Sequence, residues 1–446
     1  MQAVRAPSAG AVQATGRHRR GHVTQRRASA CALVAILPAA AVWLIARWPE
    51  AHWLVYGAWL MPLAELGLLV TGHLAYRWRF REVPPGTFLH LIIQVTTAGC
   101  EHARVNEIIK QIRGYGLAMP HEIWVVTEPG VRTDYPLADR VLVVPGNFRA
   151  RSRKKARALE YSRRVRVYLG LDRPDVKIIF NDDDVSLTKG YIERAFAADY
   201  DVCQGVIAPR TRYAVRPFGH FLASHADDIR THACLVYCSV FQGILRRPLH
   251  VHGEGLVVTG AAESIVTWDW PVIASEDLVF GQRAVAAHLL WGWFHEYAEV
   301  TSPWTLRDYL VQRRRWLWGD IHAMTHPGVM PTSARLLVLA KYLVGVTVLV
   351  ASAAGLYLRA IERIPASSGA LEWAKLSALS WLGLFFTCGW IGAGTARSGD
   401  SRLLAGVAAV AMMPATLVLT IAAIVIPLIE GDPRSFSVIA KTKRDL

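Results

Sequence analysis

The chain has 446 residues, a formal net charge of +15 and 52% hydrophobic residues, and its mean hydropathy is +0.24. These values exclude an ordinary soluble enzyme, because the apolar residues are concentrated in blocks at both ends, around a middle of mixed composition. The positive charge fits nucleic acid, an anionic membrane surface or a phosphate-bearing substrate as a partner.

Residues 1–27 predict a basic cytoplasmic tail, and residues 28–76 predict two transmembrane helices. Each apolar segment is long enough to cross about 30 Å of hydrocarbon; the two are Ala28–Trp48 and His52–Tyr76. The basic stretches Arg17–Arg27 and Arg77–Arg81 place the following domain in the cytoplasm. The alternative for Arg17–Trp48 is a cleaved signal peptide.

Residues 77–302 are too polar to be embedded in a membrane, and their apolar runs alternate with helical patterns. The predicted strands are Phe88–Thr97, Glu122–Glu128, Arg140–Gly146 and Val176–Asp184. The predicted helices are Val105–Leu117 and Arg153–Gly170. Strands separated by helices indicate a parallel sheet, which binds ligands at the carboxyl ends of its strands. Glu128 and the acidic run at Asp182 stand at such ends.

Asp182, Asp183 and Asp184 follow directly on the apolar run of the fourth strand. Neighbouring carboxylates at a buried strand end repel one another unless a cation compensates them. In extended backbone Asp182 and Asp184 would point the same way. Two hard oxygen donors suit Mg²⁺ or Mn²⁺ bound to a diphosphate, and a solvated acidic loop or helix cap is the alternative.

Two further groups of residues carry possible chemistry. Glu276 and Asp277 precede an apolar helical stretch, where an acidic helix start is the alternative to a functional pair. Residues 303–333 predict an interfacial amphipathic helix. Its Gln312, Arg315 and Trp316 would share one face, on which an arginine and an indole can hold a diphosphate and cover an acceptor site.

Residues 334–429 predict about three more membrane helices, namely Ala334–Leu358, Trp373–Gly394 and Leu403–Ile429. Five spans would place the tail, residues 430–446, outside the cell, whereas its basic end Lys441–Leu446 favours the inside. The segment that contains Pro414 is therefore the candidate for an interfacial or re-entrant helix.

The six cysteines are scattered and form no C-x-x-C pair, and no histidine stands at metal-binding spacing from them. Cys234 and Cys238 can share a helix face. Small buried thiols in a reducing compartment are the expectation.

Together, D-x-D after a strand, E-D about ninety residues later, Q-x-x-R-W and a return to the membrane resemble the family 2 inverting glycosyltransferases. That group includes cellulose, chitin and hyaluronan synthases. A closer resemblance, over about Leu89 to Asp320, is to the egghead-type β-1,4-mannosyltransferases. It rests on FRARSRKKARALEY, GEGLVVTGAAESIV, ASEDLVFGQRA and SPWTLRDYLVQRRRWLWGD. The usual animal members carry D-E-E where this chain has three aspartates.

The resemblance implies a cytoplasmic α/β domain of the GT-A fold, with a Rossmann-like mixed sheet, a nucleotide-sugar donor and a divalent cation, Mn²⁺ or Mg²⁺. By matching position, Asp277 would be the general base, and Glu128 and Lys155 would approach the nucleotide. Asp182 and Asp184 would hold the diphosphate and the metal. The residues implied on the acceptor and diphosphate side are Glu276, Gln312, Arg315 and Trp316.

The predicted function is therefore a membrane enzyme that transfers one sugar to a lipid-linked or glycan acceptor. GDP-mannose is the donor that the resemblance favours, with a UDP-sugar as the alternative. A processive polysaccharide synthase is the second hypothesis. A membrane scaffold or nucleic-acid-binding protein that uses Arg149–Arg166 is the third, but it has no use for the carboxylates, so membrane lipids and no nucleic acid are expected as partners.

Overall fold

The structure, a computed structural model, describes residues 52–209, 218–361, 368–393 and 401–433, together with Ala40, Trp43 and Arg47. The predicted basic tail at the start, almost all of the first predicted span and the basic end of the chain lie outside the described residues.

Eight strands form one mixed sheet in the order β3-β2-β1-β4-β7-β6-β8-β5. They are β1 His90–Thr97, β2 His121–Thr127, β3 Arg140–Val143, β4 Val176–Asp182, β5 Val185–Leu187, β6 Val202–Pro209, β7 Leu256–Thr259 and β8 Trp291–Val300. Strands β1 to β4 are parallel, whereas β7 runs antiparallel to both β4 and β6. The predicted α/β domain and its four strands are confirmed.

Helices cover both faces of the sheet and continue beyond it. Those of the central domain are α2 His102–Arg113, α3 Lys155–Tyr168, α4 Lys189–Ala197, α5 Phe218–Asp227, α6 Ile229–Ala233, α7 Ser239–Phe241, α8 Gly260–Val266, α9 Glu276–Ala286 and α10 Leu306–Thr325, with a π-helical turn at Cys234–Cys238. The long flanking helices are α1 His52–Arg79, α11 Thr332–Ala360, α12 Ser368–Gly392 and α13 Arg402–Glu430.

Apart from the edge strand β3, whose residues are exposed or half-buried, the strands are buried on both faces, as the uninterrupted apolar runs predict for a parallel sheet. In β1, Leu91 and Ile93 pack into one core cluster, whereas Ile92 between them packs into the cluster on the opposite face with Trp124 and Phe180. This alternation follows from the two-residue period of a strand.

The register of the sheet brings several chain segments to one edge. Thr97 is paired with Thr127, and Thr96 with Asp182, so β1, β2 and β4 end side by side. Because β7 is antiparallel to β4 and pairs Leu256 with Phe180, the segment that enters β7 lies at the same edge. That edge is where an open α/β sheet binds ligands.

Within the described part of the chain, four helices are long and apolar enough to cross a membrane: Val55–Arg79, Thr332–Ser352, Glu372–Gly392 and Arg402–Glu430. That the segment containing Pro414 is interfacial or re-entrant stays a prediction. In the structure this segment belongs to α13, one continuous helix of 29 residues. Close packing against α12 supports it: a Cβ on Gly389 would lie 2.7 Å from Cβ of Ala409. Small residues of this kind let membrane helices approach, and neighbouring helices let them tolerate proline.

The expectation of buried thiols is confirmed for four cysteines, Cys203, Cys234, Cys238 and Cys388, whereas Cys100 is exposed. The expectation that no histidine partners them is wrong. Nε2 of His252 lies 3.2 Å from Sγ of Cys234. Spacing along the chain could not show this, because the fold and not the local sequence brings the two residues together.

Candidate active site

Three chain segments bring charged side chains together at the carboxyl edge of the sheet. Nζ of Lys155, at the start of α3, pairs with the carboxylate of Asp182 and lies 3.8 Å from Oε1 of Glu276. Gly253 packs directly beside them and leaves no room for a side chain of its own. A Cβ there would lie 2.8 Å from Nζ of Lys155 and 3.5 Å from Oδ2 of Asp277. The structure therefore brings Lys155, Asp182, Glu276 and Asp277 around one small volume.

Unusual backbone conformations precede two of these segments. Lys154 has φ +55° directly before Lys155, and Ser275 has φ +58° directly before Glu276. Non-glycine residues rarely adopt positive φ, and such residues are concentrated at functional sites. Ser275 packs closely against α10. A Cβ on Gly319 of that helix would lie only 2.5 Å from Oγ of Ser275. The position of Glu276 and its neighbour thus depends on close contact with α10.

The acidic triplet does not continue the strand as the sequence predicted. Strand β4 ends at Asp182, and Asp183 and Asp184 form the turn into β5, so extended backbone is not what orients them. Asp183 turns toward β1, and its Oδ2 accepts a hydrogen bond from Oγ1 of Thr97 at 2.7 Å. The backbone oxygen of Asp184 accepts one from the N–H of Thr301 at 3.2 Å. The turn is therefore anchored at both ends.

Negative charge is crowded at this edge. Burial raises the pKa of Asp182 to about 6, because Lys155 offsets only part of that effect while Glu254 and Asp184 add to it. Burial and the neighbouring Asp184 raise the pKa of Asp183 to about 7. Carboxylates in this situation are stabilised in their charged form by an added cation.

The donor set fits a divalent cation that is shared with a substrate. Within the described residues no three acidic side chains converge closely enough to form a cage. Mg²⁺ in phosphate-binding sites is usually held by one or two carboxylates and completed by substrate oxygens and water. Asp182 and Asp184 would supply those carboxylates, and a bound diphosphate would supply the remaining ligands.

Asp277 has the electrostatic setting of a proton acceptor. Burial raises its pKa to about 7, and Glu276 and Glu254 add to the rise while Lys155 opposes it. Its Oδ1 accepts a hydrogen bond from the N–H of Leu278 at 2.9 Å. A general base works best when its pKa lies near the working pH.

Sequence reasoning missed a buried ion pair at the same site. Nη2 of Arg230 donates to Oε1 of Glu254 at 2.7 Å, and Nη1 lies 3.9 Å from Oδ2 of Asp227. Although burial alone would raise it, Arg230 and Lys155 hold the pKa of Glu254 below its usual range. The acidic residue between two glycines in GEGLVV was an available signal for Glu254, but nothing local marks Arg230.

The arginines of the QRRRW segment have different environments. Arg313 donates to Oδ1 of Asp227 at 2.6 Å, and Arg314 donates to Oε2 of Glu430 at 2.8 Å. Arg315 has no ion-pair or hydrogen-bond partner among the described residues. These pairings distinguish Arg315 from its two neighbours in the segment.

The other two predicted residues of α10 differ in burial, since Gln312 is buried and Trp316 is half-buried. Gln312 is buried, and its Oε1 has no hydrogen-bond partner within the described ranges. The guanidinium carbons of Arg230 and Arg313 lie 5.1 and 4.5 Å from the centre of the Trp316 ring. Trp316 is thereby linked to Glu254 through Arg230, and contacts at this distance are favourable cation–π interactions.

Glu128 stands apart from the four-residue group. It follows β2, and its Oε2 accepts a hydrogen bond from Nη1 of Arg157 at 2.6 Å. Arg157, which sequence reasoning did not assign, also donates to the carbonyl of Pro145 at 2.7 Å. Glu128 therefore lies at the same sheet edge with its charge already paired.

These features place a charged site at the carboxyl edge of an α/β domain whose flanking helices are long and apolar enough to cross a membrane. The chain belongs to the glycosyltransferase family 2 group, since the family described as Glycosyl transferase family group 2 matches residues 177–426. The match includes the acidic triplet, Asp277 and α10. The predicted GT-A fold and the predicted class of enzyme are confirmed.

Two relatives carry a more particular name. The chain is 29% identical over 224 residues to the β-1,4-mannosyltransferase egh of Drosophila melanogaster, covering 48% of each chain. It is 26% identical over 227 residues to the β-1,4-mannosyltransferase bre-3 of Caenorhabditis briggsae, covering 49% of each. The matched region thus spans about half the length of these curated relatives.

Among solved structures, the chain is similar to the mannosyltransferase PcManGT from Pyrobaculum calidifontis in complex with GDP-Man and Mn²⁺. The identity is 15%, the TM-score is 0.43, and the alignment covers 79% of this chain and 98% of the other.

Proposed function

We propose that the chain is a membrane-bound inverting mannosyltransferase that transfers one mannose from GDP-mannose to the hydroxyl of a lipid-linked or glycan acceptor. The convergence of Lys155, Asp182 and Asp277 within the family-matched domain carries the proposal. The names of both relatives support mannose as the sugar. A β-linked product from an α-linked nucleotide sugar requires inversion at the anomeric carbon, which a single displacement achieves.

The attacking group in this reaction is a sugar hydroxyl, which is a weak nucleophile. Asp277 would accept its proton as the new bond forms, and such general-base assistance contributes about 10²–10⁴-fold. The raised pKa of Asp277 makes its carboxylate a stronger base than an exposed aspartate. Gly253 leaves room beside the carboxylate, because a larger residue would fill the space between Asp277 and Lys155.

The leaving group gains negative charge as the bond to the sugar breaks. A divalent cation held by Asp182 and Asp184 would neutralise part of that charge on the diphosphate. Lys155 stands close enough to Asp182 to donate to a phosphate oxygen beside it. Arg315, with no partner among the described residues, would add a second donor, and fixed positive groups of this kind stabilise a developing anion.

The membrane helices support a lipid-linked acceptor. Four described helices are long and apolar enough to cross a bilayer. Helix α10 carries Gln312, Arg315 and Trp316 and packs against α13, with Nε1 of Trp318 donating to the carbonyl of Pro427 at 3.1 Å. The predicted acceptor residues are thus attached to a membrane helix. The basic residues that follow the first described span favour a cytoplasmic catalytic domain.

A donor panel tests this proposal. The full chain, purified in detergent, is incubated with Mn²⁺ and with GDP-mannose, GDP-glucose, UDP-glucose or UDP-N-acetylglucosamine, and nucleoside diphosphate release is measured with and without a lipid-linked glycan. Acceptor-dependent release from GDP-mannose alone, with a product one sugar longer, is the expected result. Preference for a UDP-sugar would remove mannose from the proposal, and a long polymer would replace single transfer with processive synthesis.

A further inference from the structure

A compact group of soft ligands lies directly behind the candidate active site. Cys234 and Cys238 belong to the π-helical turn, and His252 belongs to the segment that leads into β7. Their ligand atoms all lie within 4.8 Å of one another. Both cysteines are buried, with 0% and 1% of their surfaces exposed. The five-residue π-helical turn spans Cys234–Cys238, so both sulfurs come from a single turn.

We propose that Cys234, Cys238 and His252 bind one zinc ion, distinct from the cation of the donor site. Zinc takes thiolate and imidazole ligands, with Zn–S about 2.3 Å and Zn–N about 2.1 Å. Tetrahedral geometry then places a bound sulfur and nitrogen about 3.6 Å apart. Sγ of Cys234 and Nε2 of His252 are already 3.2 Å apart, and the other two pairs of ligand atoms lie within 4.8 Å.

The surroundings are arranged as around known metal ligands. The N–H of Ile207 donates to Sγ of Cys234 at 3.5 Å. The buried Gln204 fixes the backbone of His252 from both sides, donating to its carbonyl at 2.7 Å and accepting from its N–H at 3.2 Å. Hydrogen bonds from a second layer commonly orient metal ligands and tune their affinity. Both supporting residues lie on β6, so the sheet itself would preorganise the site.

The site joins two segments that meet in the candidate active site. Cys234 lies one helical turn after Arg230, and His252 lies two residues before Glu254. Arg230 and Glu254 form the ion pair that contacts Trp316. A zinc ion would therefore fix the segments that carry this pair. The three protein ligands would leave the fourth tetrahedral position for a water molecule, and zinc sites with three protein ligands and one water are known.

The test measures metal directly. The full chain is purified in detergent from cells grown with zinc and without chelator, and its metal content is measured by mass spectrometry. About one zinc per chain is expected. Cys234→Ser and Cys238→Ser should lose that zinc, whereas Cys203→Ser, a control matched for burial, and the exposed control Cys100→Ser should keep it. Asp184→Asn should also keep it, which separates this site from the donor site.

A spectroscopic readout guards against variants that fail to fold. The wild-type chain is depleted of zinc and supplied with Co²⁺, which should give the near-ultraviolet sulfur-to-cobalt charge-transfer band and visible bands of tetrahedral intensity. Absence of zinc in the wild type together with absence of that band would overturn the proposal. Free thiols are also counted in the denatured chain. A count two short of the number of cysteines would overturn the proposal, because Cys234 and Cys238 would then form a disulfide.

Discussion

Arg230 donates to Glu254 at 2.7 Å inside the domain, and the same guanidinium lies against the ring of Trp316. The pair connects the helix before the π-helical turn to the segment that enters β7. It also lies between the predicted acceptor face and the carboxylates of the candidate active site. One buried ion pair therefore lies between two predicted groups of residues.

The first prediction concerns this pair. Arg230→Met should destabilise the protein by about 3–5 kcal/mol, because the buried Glu254 would lose the guanidinium that donates to it. Denaturation of the purified chain, followed by tryptophan fluorescence, measures the change. Arg104→Met is the matched control: it breaks the surface pair with Glu107 and should cost no more than about 1 kcal/mol. Equal effects of the two substitutions would contradict the structural role of the pair.

The second prediction concerns the space beside Asp277. Gly253→Ala places a methyl group 2.8 Å from Nζ of Lys155, the mobile end of a flexible side chain. Lys155 can move away, so stability should change little, but its ion pair with Asp182 would be displaced. Turnover should fall roughly ten- to hundredfold, as small misplacements at active sites do. Gly146→Ala, which meets nothing within 4 Å, is the control and should retain full turnover.

The third prediction concerns pH. The pKa of Asp277 is raised to about 7. Below that pH the carboxyl is protonated and cannot accept the proton of the acceptor, so turnover should rise as the pH increases from about 6 to about 8. The measurement is kcat at saturating donor, acceptor and Mn²⁺, with donor affinity measured separately at each pH. A turnover number that stays constant across this range would exclude titration of the base as the cause of any pH effect.

The fourth prediction concerns the cation. EDTA should stop transfer, and excess Mn²⁺ or Mg²⁺ should restore it, because the carboxylates at the end of β4 need a dication to accept a diphosphate. Asp184→Asn removes one charged ligand and should raise the Mn²⁺ concentration needed for half-maximal activity by at least about tenfold. Titrating Mn²⁺ into both proteins gives that ratio. Full activity of the wild type in chelator would refute the dependence on a metal.

The sequence predicted the centre of the sheet well because strands β1, β2 and β4 are long and apolar on both faces. Ile178, Ile179 and Phe180 leave few alternatives to a buried strand. The prediction for the acidic turn was wrong. It extended the alternating side-chain directions of a strand past Asp182, whereas β4 ends at that residue. The prediction for the segment that contains Pro414 rested on a single proline, and the structure shows one continuous helix there.

The candidate site was predictable where chemistry and motif coincide. Lys155, Asp182 and Asp277 could be named from the chain alone, whereas Arg230 and His252 could not. Their contacts, to Glu254 and to Cys234, join segments that are separate in sequence and meet only through the sheet. Residues that act through long-range pairing give no local signal of their own.

Asp277→Asn tests the central claim most directly, because it keeps the shape of the side chain and removes the base. Sugar transfer from GDP-mannose by the purified variant is compared with that of the wild type, and binding of GDP with Mn²⁺ is titrated on both. The account predicts transfer lowered by about 10²–10⁴-fold with nucleotide binding retained. Wild-type transfer rates in the variant would show that another group accepts the proton and would contradict the account.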